Sequence, residues 1–162
     1  MFVVFGLTFA ITNQLGCNSD KNPFVPKEYV IFDAGIGREL LYQPTRVVPQ
    51  NVEKYFQPGE KQVDEMHQYL GSVISMKCHS NLIDDAECVT NLEDYIYQYV
   101  GITMDNENYI YVNAAKKDHP FLKWVHWKKS ALTVSDGGND FWGVLYCVRT
   151  KRFSQLSINA YI

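Results

Sequence analysis

The chain has 162 residues, 46% of them hydrophobic and 14% aromatic, which is one domain's worth of sequence with enough apolar content for a real core. A formal net charge of -3 argues against the broadly basic surface that nucleic-acid phosphates require.

Phe2 to Thr12 is an uncharged apolar run of about a dozen residues. A bilayer-spanning helix needs roughly 20, so the run suits the apolar region of a secretory signal instead. Gln14-Leu15-Gly16-Cys17 and the polar Asn18 to Asn22 follow. This resembles the lipobox of bacterial lipoproteins, in which the cysteine is lipidated and becomes the mature N-terminus. Gly16 and Cys17 fit that pattern; Gln14 stands where it has Leu, and no positively charged region precedes the run, which leaves the start open upstream of Met1. The competing reading is a buried N-terminal strand with an ordinary cysteine. The organisation expected is residues 1–16 as a lipoprotein-type signal peptide, 17–27 as a tether punctuated by Pro23 and Pro26, and 28–162 as a single α+β domain.

Glu28 to Phe32 reads as a short strand and Asp33 to Gly37 as a loop. Gly35 and Gly37 lack the third glycine of a dinucleotide fingerprint, so a plain turn explains them. Leu40 to Val48 is a weak extended segment broken by prolines. After Pro58-Gly59 comes the main helix. Val63, Met66, Leu70, Val73 and Ile74 recur at i, i+3, i+7, i+10 and i+11, giving one apolar stripe, with Glu60 in the first turn and Lys77 near the end. His67 is expected at the flank of that stripe.

Four cysteines are present. With Cys17 lipidated and Cys147 on a core strand, Cys78 and Cys88 are the candidate disulfide around the acidic loop His79 to Glu87, a bridge contributing about 2.7 kcal/mol by loop-closure entropy. Tyr95 to Met104 and Tyr109 to Ala114 flank Asp105-Asn106-Glu107-Asn108 as a hairpin, with a short helix competing at Asn91 to Asp94. An even loop puts Tyr109 and Tyr111 on one face with Val100 and Ile102, and Tyr97 and Tyr99 on the other with Ile110 and Val112.

Phe141 to Arg149 and Phe153 to Ile158 form a second hairpin. A two-residue loop at Thr150-Lys151 pairs Val148 with Phe153 and Leu145 with Leu156. It then places Phe141, Gly143, Leu145, Cys147, Leu156 and Ile158 on the core face, against the helix stripe. Trp142, Val144, Tyr146 and Phe153 fall on the half-open face. The resulting fold class is α+β: one main amphipathic helix packed on an antiparallel, hairpin-built sheet of four or more strands.

No catalytic constellation stands out. His67, His79, His119 and His126 have no zinc-protease spacing, there is no nucleophile elbow, and Asp136-Gly137-Gly138 is explained by turn formation. The reading is therefore non-enzymatic, with no cofactor, metal or nucleic acid. Lys123-Trp124-Val125-His126-Trp127-Lys128-Lys129 combines aromatic and basic residues able to stack a sugar or meet an acidic partner. The plainer reading has its tryptophans capping the core edge. Trp124, Trp127, Trp142 and Tyr146 are the candidate ligand-binding residues.

Gln98-Tyr99-Val100-Gly101, Tyr109 to Asn113, Asp136-Gly137-Gly138 with Phe141-Trp142, and Phe153 to Asn159 together resemble a family of small uncharacterised lipoproteins of Bacteroidetes-type bacteria, over roughly the last seventy residues. The order of helix then antiparallel strands is also similar to cystatin-like and nuclear-transport-factor-like folds. The resemblance implies location and fold only: a lipid anchor at Cys17 in the bacterial cell envelope, facing the periplasm or the outer surface. With no catalytic constellation in the sequence, the leading expectation is a non-catalytic binding or structural lipoprotein with a protein or glycan partner. The alternatives are an inhibitor of a peptidase or other hydrolase, and a glycan-binding module using Trp124, Trp127, Trp142 or Tyr146.

Overall fold

The computed structural model describes residues 21–79 and 84–161. The expected signal peptide, Cys17, and residues 80–83 of the acidic loop after Cys78 lie outside the described residues.

The chain folds as α+β. Its strands are β1 (Tyr29–Ile31), β2 (Lys54–Phe56), β3 (Lys77–His79), β4 (Asp84–Glu87), β5 (Tyr95–Met104), β6 (Glu107–Lys116), β7 (Phe141–Cys147) and β8 (Arg152–Ile158). Two helices, α1 (Ala34–Leu40) and α2 (Glu60–His67), accompany them. The sheet runs β1-β5-β6-β7-β8-β3-β4, and β2 lies beside β1 on the same edge of β5. It is mixed and mostly antiparallel: β1 runs parallel to β5 at Tyr29↔Tyr97, and β3 meets β8 in parallel at His79↔Ser157.

The β5–β6 hairpin closes through Asp105 and Asn106, whose φ angles of 51° and 59° match the right-handed twist of the strands. The loop is even, with Met104 paired to Glu107, so Val100 faces Tyr111 and Tyr99 faces Val112. Asn91 to Asp94 contributes a 3-10 turn over Leu92–Asp94 before β5 begins.

The β7–β8 hairpin differs from the two-residue loop expected at Thr150-Lys151. Cys147 pairs with Arg152 and Leu145 with Ser154, so the loop is four residues long. A shift of two preserves the faces. A bulge at Gln155 (φ 56°) then shifts the register by one, pairing Gly143 with Ser157 and Trp142 with Ile158. Leu156 and Ile158 thereby join Trp142, Val144 and Tyr146 on the face that meets α2, together with Tyr97, Tyr99, Ile110 and Val112. The expected core face of β7 is thus reversed with respect to the helix. Phe141 and Leu145 are buried as well, beneath a second layer on the other side. Covering both faces removes the apolar-polar alternation that would have told them apart.

That second layer begins with α1, where a loop was expected. Asp33 caps it by accepting from the backbone N–H of Gly35 (2.8 Å) and Ile36 (3.2 Å). Leu40 and Leu41 pack on Val100, Ile102, Tyr111 and Leu145. Leu40 to Val48 forms no strand; Leu40 ends the helix and irregular chain follows.

The main helix is shorter than its stripe. α2 ends at His67, and a 3-10 segment over Leu70–Ser75 continues the apolar face. Val63, Met66, Leu70 and Val73 are buried, whereas Ile74 is 40% exposed. Lys77 opens β3 instead of closing the helix. The break coincides with docking of the segment expected to be a free tether: Gly71 N–H donates to Asn22 O (2.8 Å) and Phe24 N–H to His67 O (2.9 Å). A Cβ at Gly71 would lie 2.6 Å from that Asn22 carbonyl. Cys78 and Cys88 are joined by a disulfide with Cα atoms 6.0 Å apart, tying β3 to the chain after β4.

Candidate functional site

Two places concentrate polar or aromatic chemistry. The first is the arm between β6 and β7. Pro120–Trp124 forms a 3-10 turn whose N-cap, His119, accepts from Phe121 N–H (3.3 Å). Phe121, Leu122, Val125 and Trp127 turn inward onto Ile96, Ala115, Leu132 and Phe141. Gln98, fully buried on β5, fastens the arm by donating to Trp127 O (2.6 Å) and Ser130 O (2.9 Å). Its side-chain oxygen accepts from Leu132 N–H (2.9 Å).

With the inward positions fixed, the others project into solvent. Trp124 is 85% exposed, the most exposed large hydrophobic side chain among the described residues. Lys123, His126, Lys128 and Lys129, in the same segment of chain, are exposed too. Trp127 is half-buried, with the Lys128 ammonium 5.1 Å from its ring centre. Trp127 lines two shallow clefts of about 400 and 230 Å³, one bearing His126, Lys128 and Lys129 and the other His119, Lys117 and Lys123. Lys116 is held by Asp140 (3.3 Å), and Lys117 donates to Glu93 O (2.8 Å). Lys123, Lys128 and Lys129 form no ion pair among the described residues, so their charge faces outward. The two readings of the Trp-Lys segment are thus divided between its tryptophans: Trp127 caps the core edge, and Trp124 is offered to solvent.

Trp142 and Tyr146 do not join this surface. Both are fully buried on β7, and Trp142 meets the rings of Tyr95 and Tyr97 edge-on at 5.5 and 5.8 Å. They were expected on a half-open face, but α2 covers that face and withdraws them from any ligand. His67 is likewise not at the helix flank. It is 1% exposed, shares a 3.1 Å hydrogen bond with the Tyr99 hydroxyl, and lies edge-on to Tyr29 at 5.2 Å. Burial pushes the His67 pKa down, partly opposed by Asp64. Cys147 is a buried free thiol on the α1 side of β7. Asp136 is exposed, and its carbonyl accepts from the Asn159 side chain (2.9 Å), while Gly137 and Gly138 take the positive φ angles of 90° and 53° that the turn needs.

The second place was not singled out from the sequence. Gln98, Asn113, Gly143 and Ser157 lie opposite one another on β5, β6, β7 and β8, forming a polar row across the α1 face of the sheet. Above it lies Arg46, 5% exposed, donating to Asn113 Oδ1. Asn113 donates in turn to Gln98 Oε1 (3.1 Å) and Leu132 O (3.1 Å). Gln43 ties the same loop down through Leu40 O (2.9 Å) and Leu132 O (2.8 Å), and Val47 N–H donates to Ser157 Oγ (3.1 Å). Desolvation lowers the Arg46 pKa, with the neighbouring Tyr111 acting in the opposite direction. Only a polar residue recurring inside otherwise apolar strands hinted at this row. The arginine, arriving from irregular chain, carried no such periodic signal.

No described helix is long and apolar enough to cross a membrane. No group of three or more metal-ligating side chains forms among the described residues. Compared with protein-family models, curated proteins and solved structures, the chain matches none.

Proposed function

We propose that this protein is a non-catalytic binding lipoprotein of the bacterial cell envelope, anchored through Cys17, whose ligand is an acidic glycan held at the arm around Trp124. The observation that carries the reading is a tryptophan 85% exposed in a short arm with three lysines that form no ion pair among the described residues. An exposed indole is an apolar face that a sugar ring covers well, and ammonium groups beside it favour uronate, sulfate or phosphate substituents. Anchoring of the arm by Gln98 keeps the surface formed before ligand arrives, which reduces the ordering cost of binding. The local positive charge stands out in a chain of net charge -3.

Titration of acidic and neutral polysaccharides, followed by tryptophan fluorescence and calorimetry, tests the ligand class. Acidic chains bind and neutral ones do not; Trp124→Ala weakens binding at least tenfold, as loss of an interface anchor does, without lowering thermal stability. Equal binding by Trp124→Ala sinks the reading. Intact mass spectrometry after expression in a lipoprotein-processing host checks the anchor: the expected species begins at Cys17 and carries acyl chains.

A further inference from the structure

Arg46 is a buried cation whose one geometric hydrogen-bond partner among the described residues is a neutral amide. Its Nη2 reaches Asn113 Oδ1, but Nε and Nη1 are buried without any acceptor, and no carboxylate pairs with the guanidinium among the described residues. An arginine does not discharge by losing its proton. Isolating one in a protein interior is strongly unfavourable unless an opposite charge accompanies it. Beside it, the Tyr111 hydroxyl is buried against the guanidinium, to which its oxygen can serve as a neutral acceptor, and its own O–H has no acceptor. It fills the space over Gly143, where a Cβ would lie 2.4 Å from the oxygen. Asn113 and Gly143 are direct cross-strand neighbours, so the guanidinium and the hydroxyl converge on one spot of the sheet. Even with the phenol oxygen turned toward the guanidinium, what stays unmatched is donors and a whole positive charge: N–H groups on the guanidinium and the phenol O–H. Gln98 Oε1, Ser157 Oγ and Leu132 O, acceptors along this row, are already engaged. Burial keeps the Tyr111 phenol neutral at physiological pH, so it does not supply the missing charge itself.

We propose that Arg46 and Tyr111 hold a small monovalent anion, a halide or a short carboxylate, between the sheet and the segment that follows α1. This site is separate from the Trp124 arm and does not depend on the glycan reading. A ligand bound only by the folded state raises stability in a saturable way. Thermal unfolding of the full chain is therefore measured in sodium chloride, formate and gluconate at equal ionic strength, alongside the ³⁵Cl line width.

Chloride or formate should raise the midpoint to a plateau that gluconate, too large for an enclosed site, does not reach. A response to chloride with ³⁵Cl broadening identifies a halide; a response to formate alone identifies a carboxylate. Arg46→Met removes the response. Tyr111→Phe, which keeps the charge and loses one donor, shifts half-saturation about tenfold higher. Identical behaviour in all three salts overturns the proposal, as does an unchanged response in Arg46→Met. Should Arg46→Met fail to fold, Tyr111→Phe decides, because unaltered half-saturation there is equally fatal.

Discussion

His67 shows how much one buried side chain adds to the behaviour of the whole. Its ring packs against those of Tyr29 and Tyr99 and is held to the Tyr99 hydroxyl at 3.1 Å. Desolvation favours the neutral imidazole in the folded state, so the folded pKa lies below the unfolded value of about 6.5. Below that pH the unfolded chain binds the proton that the folded chain refuses. The contribution is therefore complete above about pH 6.5 and is lost as pH falls through that value toward the lower folded pKa. Melting curves from pH 7.5 to 5 should show a steeper fall in midpoint for the native chain than for His67→Gln, which cannot take up a proton. Parallel curves would mean that His67 charges freely in the folded protein.

Among the elements, α1 packs with little room to spare. Gly37 rests directly on β5, and a Cβ there would come 2.1 Å from Val100 Cγ2. Val100 is fully buried and β-branched, so it has no free rotamer to retreat into. Alanine gains up to about 1 kcal/mol in helix propensity over glycine, yet overpacking of this kind costs about 1–3 kcal/mol. Gly37→Ala should thus destabilise by about 1–2 kcal/mol in urea unfolding. Val100→Ala opens the complementary space, and the double variant should be more stable than the sum of the single changes predicts. Strict additivity would show that α1 adjusts its position instead. The same close approach explains why Asp33 to Gly37 resembled a loop: two glycines in three residues lower helix propensity, and only contact with β5 and the Asp33 cap outweigh that cost.

At the scale of the molecule, the Cys78–Cys88 disulfide secures the edge that carries β3 and β4. Its partner on the central sheet, β8, meets β3 through the His79↔Ser157 pair. Reduction should lower stability by about 2.7 kcal/mol, or roughly 5–10 °C in the midpoint for a chain of this size. The far-UV signature of β5 to β8 should survive below that midpoint, since those strands pair with one another independently of the bridge. An unchanged midpoint after complete reduction would show that β3 and β4 are held by packing alone.

Much of the architecture was legible in the order of the residues. Asp105-Asn106 between Tyr-rich and β-branched runs specifies an even hairpin, because two consecutive positive φ angles are tolerated there and the twist then sets the register. The stripe from Val63 to Val73 likewise specifies a buried helical face, which periodicity alone reports. What only the tertiary structure decided is which surfaces have a second neighbour. Trp142 and Tyr146 look the same in sequence whether or not α2 covers them. Leu156 and Ile158 change faces because one bulge at Gln155 exchanges the surfaces beyond it. Arg46 reaches Asn113 across a sequence separation of 67, from a loop with no repeating pattern. Local chemistry determines the elements, since helix and turn preferences act within a few residues. Burial of their faces, and therefore the choice between a ligand surface and a core, depends on chain that arrives from far away.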